Sequence, residues 1–149
     1  MKKIVLMLAL VAASLLAEPY KAVIDCTSAD ARYMLTRMML IEQTAKMIKA
    51  EGEIPEFVVI MRGGATPFIA KDPAPYTDDK DLVIVQKLQG VLKTLFETYR
   101  ADIYGCEIAM EKFDVKKKEL LPFVKTTPNS FMDIIRLQNR GYGLLSFTH

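Results

Sequence analysis

Histidine is almost missing from this sequence, with His149 at the C-terminus its one example; cysteine occurs only at positions 26 and 106, and tryptophan not at all. With so few imidazole and thiolate donors, and no cysteine pair at ligand spacing, a structural or catalytic zinc site has almost nothing to be built from. Two cysteines are also far too few for a disulfide-built scaffold, so stability must come from a packed apolar core. Beyond residue 17 no apolar run approaches the roughly 20 residues that a membrane-spanning helix needs, and there is no repeat or low-complexity tract. Neither the phosphate-loop nor the dinucleotide fingerprint occurs. No metal and no cofactor are expected.

What is present begins at the N-terminus. Lys2 and Lys3 precede an apolar run from Ile4 to Val11, then small and apolar residues to Ala17, then Glu18 and Pro19. Charged end, apolar middle and small-residue exit are the three parts of a secretory signal, and 14 apolar residues are too short to anchor. Residues 1–17 are therefore expected to be a cleaved signal peptide, with 18–149 a single periplasmic domain. No cysteine follows the run to carry a lipid, and no twin-arginine pair precedes it. N-terminal sequencing of exported protein should start near Glu18, and acidic residues in place of Lys2 and Lys3 should block export; recovery of Met1 would remove the periplasmic assignment.

Cleavage takes away two lysines and no acids, so 20 basic and 18 acidic residues become 18 and 18. A neutral domain has no electrostatic footprint for nucleic acid or anionic membrane, and neither is expected as a partner. The nine methionines invite a copper reading. However, Met34, Met38, Met39 and Met47 recur at helical spacing among Leu35, Leu40 and Ile48, which predicts core filling by a side chain that suits irregular helix interfaces.

Hydrophobic periodicity then orders the chain. Lys21–Asp25 reads as a strand, and Thr27, Ser28 and Asp30 supply capping groups for a helix running towards Gly52. Glu56–Met61 holds the continuous run Phe57–Ile60 of a strand buried on both faces. A turn, Arg62–Pro67, and a loop, Lys71–Asp79, lead to a helix with Leu82, Val85, Leu88, Leu92, Leu95 and Phe96 at the 3.6-residue period. Asp102–Cys106 predicts a third strand, Glu107–Phe113 a short helix, Leu121–Thr126 a fourth strand, Pro128–Arg140 a helix and Tyr142–Phe147 a last strand. Such alternation predicts a three-layer α/β/α sandwich with a mostly parallel sheet of about five strands. In these sheets reactive groups gather beyond the carboxyl ends of the strands, where Cys26, the Arg62–Pro67 turn and Cys106 all fall.

Cys106 closes a strand and opens a helix, so its sulfur is expected beside the unpaired N–H groups of the first turn, which favour a thiolate. Glu107 and Glu111 oppose that effect and Lys112 partly offsets them. Cys26 ends the first strand at the same edge, and the sequence leaves open whether the two cysteines pair. Arg62 with Gly63, Gly64 and Thr66 reads equally as a plain turn or as an anion cradle of backbone N–H groups and one guanidinium. Lys116, Lys117 and Lys118 read as a solvated run.

The stretch Asp102–Val115 with its strand-end cysteine, followed by Leu120–Lys125, Pro128 and Ile134–Tyr142, resembles the DsrE/DsrF-like family. The first strand and the Met61-Arg62-Gly63-Gly64 turn are similar to the same family, so the likeness runs from about Lys21 to Phe147. It implies an α/β/α sandwich that forms homo-oligomers. It also implies that Cys106 carries sulfane sulfur as a persulfide and exchanges it with a donor or acceptor protein. Relatives in sulfur-oxidising and transfer-RNA thiolation systems are cytoplasmic, whereas this chain carries an export signal. In the resulting expectation Cys106 is the nucleophile, and Cys26, Arg62, Gly63, Gly64 and Tyr104 line its site. Two other readings compete: an oligomeric module that binds a small anion or metabolite without catalysis, and a thiol-disulfide protein using Cys26 and Cys106.

Overall fold

The computed structural model describes residues 19–148, so the export signal read from residues 1–17 lies outside the described residues, as does His149. The element order is β1 (Tyr20–Cys26), α1 (Ala31–Ala50), β2 (Pro55–Met61), a 3-10 segment (Gly63–Ile69), α2 (Asp79–Tyr99), β3 (Asp102–Cys106), α3 (Glu107–Lys112), β4 (Val124–Thr127), α4 (Ser130–Asn139) and β5 (Gly143–Phe147). Two single 3-10 turns, Ala74–Tyr76 and Lys117–Glu119, interrupt the longer loops. The strands form one sheet in the order β4-β3-β2-β1-β5, and every pairing is parallel. This is the α/β/α architecture that the alternation of elements predicts.

Local chemistry explains most of the boundaries. Asp30 caps α1 by accepting from the Tyr33 N–H at 2.9 Å, and the Ser28 hydroxyl accepts from the Asp30 N–H at 3.1 Å. The fourth strand starts at Val124 and not at Leu121, because Pro122 has no N–H to give to a ladder. The last helix starts at Ser130 and not at Pro128, because the Asn129 side chain accepts from the Phe131 N–H at 3.0 Å and so occupies the cap.

The chain's route explains how the faces are covered. From β1 to β4 each step moves one strand in the same direction, and right-handed crossovers put the intervening helices on one side. There Met34 and Met38 of α1 and Val85, Leu88, Leu92 and Leu95 of α2 pack with Ile24, Val59, Met61 and Ile103 of the sheet, together with Met110 of α3. From β4 the chain must return to β5 beyond β1, and the same handedness places α4 on the opposite face. The core there is small: Ile134 on Val23, Val58 and Ile60. Core filling by methionine holds for Met34 and Met38, while Met39 and Met47 point to solvent on the outer side of α1.

Candidate functional site

Cys106 is the last residue of β3 and immediately precedes α3. Alternation along β3 puts it on the same face as Tyr104, the face crossed by α4. Two helix starts therefore converge on one sulfur. The Cys106 side lies at the first turn of α3, and Ser130, the first residue of α4 and only 1 % exposed, approaches from across β4. Burial pushes the Cys106 thiol up, but donors directed at the sulfur outweigh it: the Ser130 hydroxyl, then the N–H groups of Ala109, Ser130 and Ile108. The thiol is held below its ordinary value because these groups bond better to a thiolate than to a neutral S–H.

The expected opposition from Glu107 is blunted by its partners. Its carboxylate accepts from Thr126 Oγ1 at 2.7 Å and pairs with Lys117 Nζ at 2.6 Å. Lys117 makes this contact from the solvated lysine run, its side chain still 66 % exposed.

A cavity of about 240 Å³ opens beside the sulfur, lined by Arg62, Gly63, Ile108, Ala109, Lys112 and Phe131 together with Cys106 and Ser130. Its walls are largely apolar and its charged lining residues are both cations. Arg62 is fixed rather than free. Its Nε and Nη2 donate to the two oxygens of Asp25 at 2.7 Å each, and its guanidinium lies 4.6 Å from the centroid of the Phe131 ring. Asp25 is 5 % exposed, so this bidentate pair sits largely out of water.

The cradle reading of the Arg62–Pro67 turn is corrected accordingly. Two of the three guanidinium nitrogens donate to Asp25, and the turn is wound into a 3-10 segment. Gly63, at φ +52°, lines the cavity, but Gly64 faces the β1–α1 turn instead: a Cβ on it would meet the Ala29 backbone nitrogen at 2.8 Å. Gly64 is there for close packing, and it does not line the sulfur's cavity. Tyr104 shares a face with Cys106 but lines a separate trough further along the strands.

Cys26 is not part of the site. It is fully buried in the core under α1 and α2, its Sγ directed at the Ile24 carbonyl, and burial pushes its thiol far up. In the register Cys26 aligns with Met61 and Met61 with Gly105, so Cys26 and Cys106 have opposite parity and face opposite sides of the sheet. Strands two apart are roughly 9–10 Å from one another, beyond the ~7 Å that a disulfide spans. Both cysteines are free, and the paired thiol-disulfide reading is overturned.

Sequence reasoning missed Asp25, Ser130 and Phe131. A carboxylate closing an apolar strand was a visible sign for Asp25, and Thr127-Pro128-Asn129-Ser130 a visible helix start for Ser130. No local signal pairs Phe131 with Arg62.

The DsrE/DsrF-like family model matches residues 21–147. A protein of Aquifex aeolicus (strain VF5), described as uncharacterized, is 36% identical over 133 residues, which is 89% of this chain and 58% of the relative. The chain thus spans somewhat over half the length of that relative. Among solved structures, the protein of unknown function MTH1491 from Methanobacterium thermoautotrophicum superposes with a TM-score of 0.62 at 15% identity, covering 86% of this chain and 99% of the other. At that identity the likeness is one of fold.

Proposed function

Since the chain belongs to the DsrE/DsrF-like family, we infer that it is a sulfur-handling protein in which Cys106 carries sulfane sulfur as a persulfide. The carrying observation is the sulfur itself: a thiol held below its ordinary value by converging donors, opening on a small cavity with apolar walls. Polarisable sulfur atoms are at home against Ile108, Ala109 and Phe131, and Lys112, which has no carboxylate partner among the described residues, offsets the charge of an incoming anion.

The transfer needs no external oxidant. The Cys106 thiolate attacks a sulfur atom of an inorganic polysulfide; one S–S bond forms, one S–S bond breaks, and a polysulfide shorter by one sulfur leaves with the electron pair. An acceptor thiolate then attacks the outer sulfur of the Cys106 persulfide, takes that atom and releases Cys106 as thiolate. Ser130 and the two helix starts stabilise the anion at the beginning and end of this cycle. The protein would work in the periplasm as a self-associated carrier between a donor and an acceptor.

Intact-mass spectrometry after incubation with polysulfide tests this reading. The wild-type protein should gain sulfur on Cys106, and the adduct should disappear on addition of a small thiol. No gain at Cys106, or a gain on Cys26 alone, would defeat it.

A further inference from the structure

The return of the chain through α4 leaves β3 and β4 without a helix above them on that face. The result is a trough of about 450 Å³, within the roughly 300–1,000 Å³ of ordinary small-molecule sites. Its floor is Val58, Ile60 and Tyr104, its wall is Leu137 with Arg136 and Arg140 one helical turn apart, and Tyr142 closes one end. The sulfur's cavity lies apart from it, beyond the Thr127–Asp133 side-chain hydrogen bond.

The charges around the trough are unequal once their partners are assigned. Four cations border it: Arg136 and Arg140 on the wall, Lys125 over the Tyr104 ring at 5.7 Å and Lys21 over the Tyr142 ring at 5.7 Å. Three carboxylates face them, and each already has a donor. Asp102 accepts from Lys125 at 2.7 Å, Asp133 from Arg136 at 3.1 Å and from Thr127, and Glu56 from the Tyr142 hydroxyl. Lys21 and Arg140 have no carboxylate partner among the described residues. A floor of two aliphatic side chains and the Tyr104 ring, closed at one end by Tyr142 and bordered by one guanidinium that lacks a counterion, is complementary to a flat molecule bearing a single negative charge.

We propose that this trough is a second binding site, for a small aromatic carboxylate, with Arg140 holding the carboxylate, Tyr104 beneath the ring and Tyr142 at its end. The site is independent of sulfur chemistry at Cys106, so each can fail without the other.

The probe is 2-naphthoate, titrated into the purified protein and followed by calorimetry and by amide NMR shifts. Saturable binding with shifts centred on Tyr104, Leu137 and Arg140 is expected. Arg140→Ala should weaken it about tenfold, as loss of a charge-assisted hydrogen bond would, while leaving polysulfide loading of Cys106 unchanged. The neutral amide, 2-naphthamide, should bind about tenfold more weakly than the acid. Equal binding of acid and amide would overturn the proposal, as would shifts centred on Ile108 and Phe131, or no saturation at millimolar probe. Light scattering that finds an assembly, with the Tyr104 resonance insensitive to probe, would likewise overturn it and assign the trough to a second copy of the chain.

Discussion

Native alkylation of Cys106 by iodoacetamide should proceed with an apparent pKa below the ~8.5 of a free thiol, while Cys26 stays unreacted until denaturant is added. The donors from Ser130, Ala109 and Ile108 favour the Cys106 thiolate, and although Cys106 is only 5 % exposed, the cavity it lines gives the reagent a route to the sulfur. Cys26 has neither advantage, being fully buried with its thiol pushed far up. Replacing Ser130 by Ala should move the Cys106 midpoint upward without abolishing reaction, since the backbone N–H groups remain. Cys106→Ser should abolish persulfide formation altogether. Linkage gives a second readout with a definite sign. A group that ionises at lower pH when folded adds stability above the unfolded pKa, and loses it as the pH falls through the folded one. Wild-type stability should therefore rise with pH across the interval between the two midpoints, and Cys106→Ser should lack that rise. A Cys106 inert to alkylation, or one titrating at or above the free-thiol value, would remove it from the chemistry.

Arg62→Ala should cost about 3–5 kcal/mol of folding stability, the loss typical when one member of a buried ion pair is removed. Asp25 is 5 % exposed and both of its oxygens accept from Arg62 at 2.7 Å, so truncation leaves a carboxylate in a place with little water. The Phe131 ring, which the guanidinium covers at 4.6 Å, loses a neighbour as well. Arg62→Lys keeps the charge but not the planar fork and should recover only part of the loss. Replacing the pair together, with Asp25→Leu and Arg62→Met, should be far milder than Arg62→Ala alone, because no uncompensated charge remains. Urea titration with a common m-value measures these differences. A loss below about 1 kcal/mol for Arg62→Ala, as for a surface salt bridge, would mean that water reaches Asp25 freely.

Much of the fold was legible from period alone. A run such as Phe57–Ile60 has no polar alternation and suits a strand covered on both faces, and the spacing of Val85, Leu88, Leu92 and Leu95 suits one helix face. Both are local properties of side chains, so they survive without knowledge of the fold. Failures came where a local pattern has two readings. Met39 and Met47 stand at plausible helical spacing yet face solvent, because the core covers only one side of α1 and the period does not say how wide that side is.

The site divides in the same way. That Cys106 ends a strand and begins a helix follows from its neighbours in the chain, and with it the expectation of an activated sulfur; the likeness to the DsrE/DsrF-like family was also carried by residues in sequence. Which groups surround that sulfur was decided by tertiary structure. Ser130 and Phe131 reach it because a right-handed return from β4 to β5 must cross the opposite face. Asp25 captures Arg62 because β1 and β2 are neighbours in parallel register. Cys26, at the same end of the sheet as Cys106, is excluded by one residue of parity, since side chains of period two face alternate sides and strand order sets which residues align.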